Sequence, residues 1–340
     1  MKVLVGNLAR SLSFECPPEI PLITGVVNRG ELAILAAAPG TGKTPVVSQM
    51  ALTTATGAPF LDQPTSACRV LQVDVESQAE DHRTLQRRQC EALSLDINRV
   101  GQAVDLFGRG VPKDPNSGEL ERILRCPNVT RLKWLMNLVN QGDYGLVIVD
   151  TALTFTPFKA HDENEVRLMY AALSAITHSK SRPAALISLH LRKRDRKAQL
   201  PTLLEDPMGW TEEILGSVVW SANADVRLGL ERVGDDRVAF GGYRRGRGPI
   251  EPLVLELRRN ESGDPLVWDR GGDDAVALHM LTNDQRSYFA RIPIGQDLTW
   301  KALQQATGAA DSTLSRLKEA AMRAGLLDYD SGHHVYRRRR

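Results

Sequence analysis

The residues with the clearest chemical meaning form a glycine-rich run, AAPGTGKT, at positions 37–44. The run follows an apolar stretch of strand length and precedes a helical pattern, which is the setting of a phosphate-binding loop. Backbone N–H groups at Gly40 and Gly42 can turn inward around phosphate oxygens, and the positive end of the helix dipole points at the same place. Lys43 is predicted to reach the β- and γ-phosphates, and the Thr44 hydroxyl is predicted to hold Mg²⁺.

The ligands predicted from this run are ATP and Mg²⁺. Ala37 stands where the strict motif has glycine, and its small side chain is expected to be tolerated. Pro45 falls in the first helical turn, where a backbone N–H is not needed. The residues predicted to bind the nucleotide are Pro39, Gly40, Thr41, Gly42, Lys43, Thr44 and Pro45. The alternative is a glycine-rich turn that arose by chance.

Two acidic residues end apolar runs and complete the predicted chemistry. Asp150 closes the run LVIVD and is the candidate for the second protein contact to the metal ion. Thr151 follows it, so the base that activates the attacking water must come from another strand. Glu76 ends the run RVLQVDVE and is predicted to be that general base. A solvated acid at a strand end is the alternative for Glu76.

The elements that must position these residues are apolar strands alternating with helical patterns between about residues 25 and 258. The predicted strands cover residues 32–37, 70–75, 146–149, 184–189, 224–230, 238–242 and 253–257. Continuous apolar strands interleaved with helices indicate an α/β fold whose sheet is largely parallel at its centre and covered on both faces. Residues 162–176 predict the crossover helix that a parallel pair of strands requires.

Composition shifts between residues 260 and 274, where Gly, Asp and Asn concentrate, and this predicts a domain boundary. The predicted organisation is an N-terminal arm at 1–24, a large α/β domain at 25–260, a linker at 261–279 and a small domain at 280–340.

Composition excludes several classes of protein. The formal net charge of +2 over 340 residues is too small to indicate nucleic-acid binding by itself, so any basic signal must be local. Four cysteines lie far apart and form no C-x-x-C pair, which argues against a zinc site or a disulfide framework. No apolar run reaches the roughly 18 residues of a membrane helix. A soluble protein of the cytoplasm, with no membrane partner, is therefore expected.

The phosphate loop, Glu76 and Asp150 together resemble the RecA-fold ATPases, and especially the hexameric replicative helicases of the DnaB and RepA type. Residues 215–226, LGSVVWSANADV, resemble the stretch of DnaB-type helicases in which a Gly-Ser pair leads through a short helix to an Ala-Asp strand. Residues 243–249, YRRGRGP, resemble their following basic segment. The resemblance covers about residues 25–258 and implies a RecA-like P-loop NTPase that assembles as a homo-oligomer, either a hexameric ring or a filament.

In that family the basic segment completes the ATP site of the neighbouring subunit. Arg244, Arg245 and Arg247 are therefore the candidates for an arginine that neutralises charge on the γ-phosphoryl oxygens in the transition state. Because the spacing differs from the family's by about one residue, all three stay open. A basic hairpin on a solvated edge is the alternative.

The resemblance also gives roles to the end of the fourth predicted strand. His190 stands where these families place a polar sensor of the γ-phosphate, although a satisfied histidine at a strand end is an equal alternative. A basic cluster follows it, and in a RecA-fold ring this segment would face the central channel and bind single-stranded DNA. The cluster consists of Arg192, Lys193, Arg194, Arg196 and Lys197. A solvated run of charges is the alternative.

From about residue 280 the pattern resembles a winged helix, with three short helical segments and a hairpin. Ser312, Thr313 and Arg316 are left on the outer face of the third helix and are predicted to contact duplex DNA. The excess of basic over acidic residues in this segment comes from the four arginines at 337–340. Winged helices also dock proteins, so that alternative stays open.

The leading functional hypothesis is an ATP-hydrolysing motor on single-stranded DNA in replication or recombination, most simply a helicase. A second hypothesis is a recombinase or recombination mediator that assembles on DNA without unwinding it. A third, from another class, is a DNA-binding regulator in which ATP is a switch and the winged helix reads a specific site.

Overall fold

The structure is a computed structural model, and it describes residues 19–110, 115–157, 163–191, 201–212, 219–272, 275–279 and 281–339. Within these residues, nine strands form one large sheet in the order β11-β10-β9-β8-β3-β7-β6-β4-β5. The strands are β3 (Leu32–Ala37), β4 (Val70–Gln78), β5 (Val104–Arg109), β6 (Leu146–Asp150), β7 (Ala184–His190), β8 (Val226–Gly234), β9 (Arg237–Arg244), β10 (Gly248–Arg259) and β11 (Pro265–Arg270). A small hairpin, β1 (Pro21–Ile23) and β2 (Val27–Asn28), precedes them.

The six strands from β5 to β8 run parallel, and β9, β10 and β11 extend the sheet with antiparallel pairs. Parallel strands end at the same edge, so Ala37, Asp150 and His190 come close together there, with Glu76 just past the last β4–β6 pair. Because β3 and β6 are buried along their whole length, they read as unbroken apolar runs. The predicted α/β fold with a largely parallel central sheet is confirmed.

Helices cover both faces of this sheet. They are α1 (Lys43–Thr56), α2 (Ala79–Ala92), α3 (Ile97–Ala103), α4 (Pro115–Leu124), α5 (Asn128–Gly142), α6 (Ala152–Phe155), α7 (Glu163–Thr177), α8 (Pro207–Thr211), α9 (Val219–Asn223) and α10 (Ala275–His279). The predicted crossover helix is α7, and it buries Val166, Met169 and Leu173 against the sheet. Alternate residues of β3 point into two different hydrophobic cores, with Ile34 in one and Leu35 in the other.

Two strands of the large sheet were missing from the sequence prediction. Strand β5 is short, and its apolar residues are interrupted by Asp105 and Gly108, so it carries little strand signal. Strand β11 lies inside the segment 261–279 predicted as a linker. It pairs with β10, and Trp268 is buried against α1. The large sheet therefore extends to Arg270 instead of ending near residue 260.

The side chain of Gln49 on α1 ties β11 to the phosphate-loop helix. Its Nε2 donates to the carbonyl oxygen of Trp268 at 2.8 Å, and its Oε1 accepts from the backbone N–H of Trp268 at 2.9 Å. The amide thereby replaces the ladder partner that an edge strand lacks. The antiparallel end of the sheet is thus held against the middle of α1.

The C-terminal segment has a hydrophobic core of its own, which includes Leu281, Phe289, Leu303, Leu317 and Leu327. Its elements are α11 (Asn283–Phe289), β12 (Asp297–Leu298), α12 (Trp300–Thr307), α13 (Asp311–Arg323), β13 (Leu327–Asp330) and β14 (Val335–Arg338), and its three strands pair in the order β12-β14-β13. Three short helices and a hairpin were predicted for this segment, and these elements are present. No helix in the described part of the chain is long and apolar enough to cross a membrane.

The close pairing of β8 and β9 generates a prediction about stability. A Cβ atom at Gly242 would lie 1.9 Å from the carbonyl oxygen of Arg227, so the strands must separate locally in Gly242→Ala. We expect this variant to lose at least about 2 kcal/mol of unfolding free energy, measured by denaturant titration. The control is Gly101→Ala in α3, where nothing lies within 4 Å of the added atom. Equal stability of Gly242→Ala and the parent chain would contradict the described pairing.

Candidate nucleotide site

The predicted phosphate loop connects β3 to α1 at the carboxyl edge of the sheet. Gly40 has φ 73° and Gly42, the N-cap of α1, has φ 101°, conformations that side chains other than glycine rarely adopt. At Gly42 an added Cβ would also lie 2.8 Å from the indole ring of Trp268. Both glycines are therefore required by the shape of the loop, and the first N–H groups of a helix, which have no partner within the helix, are suited to bind an anion there.

Lys43 is almost fully buried at the start of α1, with 7% of its surface exposed. Its Nζ lies 3.5 Å from the carbonyl oxygen of Ala37 and 3.1 Å from His190 Nδ1. Burial lowers the pKa of this ammonium group, and the charges of Asp150 and Glu76 partly oppose that change. A buried cation with so few partners is well placed to bind an anion.

Thr44 and Asp150 meet next to the loop. The Thr44 hydroxyl donates to Asp150 Oδ2 at 2.8 Å, and the Ser188 hydroxyl on β7 donates to Asp150 Oδ1. Asp150 is fully buried, and its pKa is raised, chiefly by burial and then by the charge of Asp74 on the neighbouring strand. Its negative charge is therefore costly unless a cation lies beside it.

Glu76 lies at the same edge, just after the point where β4 stops pairing with β6. Its Oε1 accepts from the hydroxyls of Thr151 at 2.8 Å and Thr154 at 3.3 Å, and His190 Nε2 lies 3.5 Å away. Its side chain is 38% exposed, so water can reach it. The carboxylate is thus held in place while one side faces solvent, as a general base requires.

His190 joins Lys43 to Glu76. A protonated lysine can only donate, so His190 Nδ1 accepts from Lys43, and the ring proton then lies on Nε2, on the side of Glu76. One ring therefore contacts both the predicted phosphate-binding lysine and the predicted base. His190 had been assigned either to this role or to a satisfied histidine at a strand end, and its contacts fit both.

The donor set fits a nucleoside triphosphate with a divalent cation. A hydroxyl and a carboxylate are the hard oxygen ligands that Mg²⁺ prefers. Thr44 and Asp150 supply them side by side, and a cation would relieve the burial of the Asp150 charge. The glycine loop, the start of α1 and Lys43 provide donors for phosphate oxygens.

Two contributors to this site were missing from the sequence prediction. Arg232, near the end of β8, donates from Nη2 to the carbonyl oxygen of Gly40 at 2.7 Å. Arg232 is exposed and lies two positions after the apolar run of its strand. A polar residue just after an apolar run is also the signal that identified Glu76. Trp268 lies in a segment predicted to be a linker and packs against Gly42. No local sequence pattern predicts that contact.

The three arginines that the sequence offered as candidates do not lie near the phosphate loop. Arg244 pairs with Val226, at the start of β8, whereas the loop follows the end of β3. They line a cavity of about 650 Å³ at the amino edge of the sheet. Arg244 is buried, with Nη2 3.5 Å from Glu31; Arg245 donates to Asp225 at 2.9 Å; and Arg247 contacts Glu19. Only Arg245 and Arg247 are exposed.

The predicted nucleic-acid contacts fall in two places. The cluster of Arg192, Lys193, Arg194, Arg196 and Lys197 lies outside the described residues. On α13, Leu314, Leu317 and Ala321 are buried while Ser312 and Arg316 are exposed and Thr313 is half-buried, so the outer face is where the sequence placed it. Its contact with DNA stays a prediction.

The arginines at the end of the chain make contacts within the protein. Arg337 donates to both carboxylate oxygens of Asp297 at 2.7 Å, and Arg339 binds Asp328 in the same way at 2.7 and 2.6 Å. Arg338 donates to the carbonyl oxygen of Ile292 at 2.7 Å. The local basic excess therefore gives less support to DNA binding than the residue count alone indicates.

Comparison with known proteins gives one matching family model and two similar solved structures. A family model described as an AAA domain matches residues 5–196, more than half of the chain. The crystal structure of the RadB recombinase matches with a TM-score of 0.45 and 14% identity, over 68% of this chain and 88% of that one. The ATPase domain of G40P matches with a TM-score of 0.48 and 14% identity, over 70% and 85%. No curated protein matches.

The contact of Arg232 with the loop generates a prediction about ligand affinity. Arg232→Ala removes a cation beside the phosphate site and frees the Gly40 carbonyl, so we expect ATP binding to weaken about tenfold or more. The measurement is isothermal titration calorimetry with ATP in the presence of Mg²⁺. The control is Arg69→Ala, which removes an arginine from the opposite edge of the sheet, where it pairs with Asp105. Equal affinity in Arg232→Ala and the parent chain would remove this residue from the site.

Proposed function

The chain belongs to the AAA domain family, and from that premise we propose that this RecA-fold P-loop ATPase hydrolyses ATP between neighbouring copies of itself and uses the energy to move on single-stranded DNA. Replication or recombination is the setting in which such a motor acts, and unwinding of duplex DNA is its most direct product.

One observation carries the ATPase part of this proposal, namely the cluster of five side chains at the carboxyl edge of the sheet. The cluster consists of Lys43, Thr44, Glu76, Asp150 and His190, joined by the contacts described above. They come from three separate strands and one helix, and each has the chemistry that its predicted role requires. A chance turn of glycines would not bring these groups together.

The proposed roles follow from position and charge. Lys43 and the N–H groups of the loop bind the β- and γ-phosphates, while Thr44 and Asp150 hold Mg²⁺, which when bound neutralises phosphate charge. Glu76 accepts a proton from the water that attacks the γ-phosphorus, because Thr151 and Thr154 hold its carboxylate with one side open to solvent. His190 reports the state of the phosphate end to the segment that follows β7.

The position of the arginines supports assembly. From the level of Arg244 to the phosphate loop is about five residues along β3, or roughly 15 Å, so these side chains lie too far away to act on the chain's own nucleotide. If one of them serves nucleotide chemistry, it does so on a second copy. Arg245 and Arg247 are the exposed candidates, whereas the buried Arg244 faces Glu31.

The order of residues after β7 supports coupling to DNA. His190 contacts both Lys43 and Glu76, and the basic cluster at 192–197 begins two residues later along the chain. A change in the contacts of His190 would therefore reach the cluster through a very short stretch of backbone. Basic residues bind the phosphate backbone of single strands with little regard for base sequence.

A regulator with ATP as a switch is the second candidate function, and the exposed polar face of α13 favours it. Such a protein would bind one duplex sequence through residues such as Ser312 and Arg316, and its ATP turnover would not respond to single strands. A recombinase or mediator would respond to single strands but would not displace a strand from a duplex.

The first test is steady-state ATP hydrolysis with and without single-stranded DNA. We expect strong stimulation by single strands in the parent chain and none in Lys43→Ala, which cannot bind the phosphates. We expect Glu76→Gln to bind ATP but to turn it over about 10² times more slowly or worse, because it cannot accept the proton. Glu80→Gln, an exposed acid on α2, is the control.

Each alternative outcome of this test has a meaning. Hydrolysis that ignores single strands would favour the regulator, and duplex binding would then be measured. Stimulation without strand displacement would favour the recombinase or mediator. Full turnover by a strictly monomeric protein would contradict catalysis between copies.

Mixing inactive variants tests assembly directly. We expect Arg247→Ala or Arg245→Ala to lose turnover, while Lys43→Ala keeps both arginines but lacks the phosphate lysine. In mixed oligomers some interfaces combine an intact lysine from one copy with an intact arginine from the next, so activity should return on mixing. If the arginine acted within its own chain, mixing two inactive proteins would restore nothing.

A further inference from the structure

A buried aspartate–histidine pair adjoins Glu76. Asp74 on β4 and His82 in the first turn of α2 are both fully buried, and His82 Nδ1 donates to Asp74 Oδ2 at 2.5 Å. Burial alone raises the pKa of Asp74, but the hydrogen bond and charge of His82, together with the N–H of Ser77, bring this pKa below its usual value. These interactions therefore favour the carboxylate form of Asp74 inside the protein, and the proposed ATPase chemistry has not used the pair.

The second oxygen of Asp74 holds the backbone of Glu76. Asp74 Oδ1 accepts from the N–H groups of Glu76 and Ser77, each at 2.9 Å. At this point β4 leaves the sheet: its ladder with β6 ends at the Asp74–Asp150 pair, and its pairing with β5 breaks after Asp74 and resumes at Gln78. The aspartate side chain thus replaces the strand partners that these N–H groups have lost.

The direction of the Glu76 side chain depends on that backbone. Its carboxylate meets Thr151, Thr154 and His190 only while residue 76 keeps its orientation at the end of the strand. A shift of about 1 Å at a reacting group can lower a rate a hundredfold. A continuous series of hydrogen bonds therefore runs from His82 through Asp74 and the backbone to the proposed base.

We propose that His82 is a positioning residue, which fixes Asp74 and through it holds the Glu76 carboxylate where it can accept a proton from the attacking water. This inference rests on the proposed role of Glu76. Without the His82 donor, Asp74 Oδ2 is a buried acceptor with nothing to replace the bond, and the carboxylate can rotate away from the N–H groups of Glu76 and Ser77.

A purely structural role for the pair is the alternative, since His82 also joins α2 to β4. The chain offers a matched control for that alternative one turn further along α2. Gln86 Nε2 donates to Gln72 Oε1 at 3.1 Å, which also joins α2 to β4, and Gln72 is fully buried. No hydrogen bond described for Gln86 or Gln72 leads to Glu76.

The experiment compares substitutions of His82 that differ in where they place a donor. Asn carries its N–H₂ one bond from Cγ, as Nδ1 does, whereas Gln places it one bond further and Leu has none. Using the full chain with ATP, Mg²⁺ and single-stranded DNA, we expect His82→Leu and His82→Gln to lower kcat about ten- to hundredfold. We expect ATP affinity to stay unchanged and His82→Asn to recover most of the rate.

Gln86→Leu and Glu76→Gln are measured in parallel, with thermal unfolding recorded for every variant. Equal loss of kcat in His82→Asn and His82→Leu, or the same loss in Gln86→Leu, would assign His82 a structural role only. Unchanged kcat in His82→Leu while Glu76→Gln is inactive would overturn the positioning role and leave the proposed function standing. An active Glu76→Gln would remove the base itself. If His82→Leu fails to fold, the contrast between Asn and Gln still decides.

Discussion

Opposite charges buried together at one edge of a parallel sheet are the constraint on which the rest of this site depends. Lys43 and Asp150 are both removed from water, and burial disfavours the charge of each. The charge of Lys43 is tolerable because Asp150 and Glu76 lie nearby, and the charge of Asp150 is favoured by the hydrogen bonds from Ser188 and Thr44. That proximity requires β3, β4, β6 and β7 to end at matching levels, and a slip of one residue in any register would turn its side chain to the other face. The register of the parallel strands therefore determines whether the residues of the site can meet.

The antiparallel end of the sheet also stabilises the phosphate loop. Strand β11 reaches α1 through the paired hydrogen bonds of Gln49, and the ring of Trp268 fills the space that a side chain at position 42 would need. Gln89 on α2 adds a bond to the carbonyl oxygen of Leu266 at 3.1 Å. The geometry of the loop thus relies on contacts between residues 177 to 219 positions apart, which only the complete sheet can bring together.

The sequence was sufficient to predict features whose physical cause lies within a few neighbouring residues. Continuous apolar runs predicted the parallel strands because both faces of those strands are buried, and the glycine loop was predictable because few residues adopt its backbone angles. Prediction from the sequence failed where the cause lies far along the chain. Strand β11 follows a segment rich in polar residues and is held by its pairing with β10 and by Gln49 on α1. Arg232 binds a carbonyl oxygen of the phosphate loop, and Arg244 is withdrawn from solvent beside Glu31. Pairwise contacts of that kind leave no periodic trace.

Because β11 belongs to the large sheet, only a short segment connects that sheet to the C-terminal unit. Gly271 is still hydrogen-bonded to Val254, and Leu281 already lies in the C-terminal core, so ten peptide units separate the two anchors and span at most about 35 Å. If both units bind one polymer, as proposed, a polymer held by one unit remains within reach of the other, at an effective concentration on the order of millimolar. Two individually weak binding surfaces would then act as one strong one, and lengthening this connection would weaken binding by lowering that effective concentration.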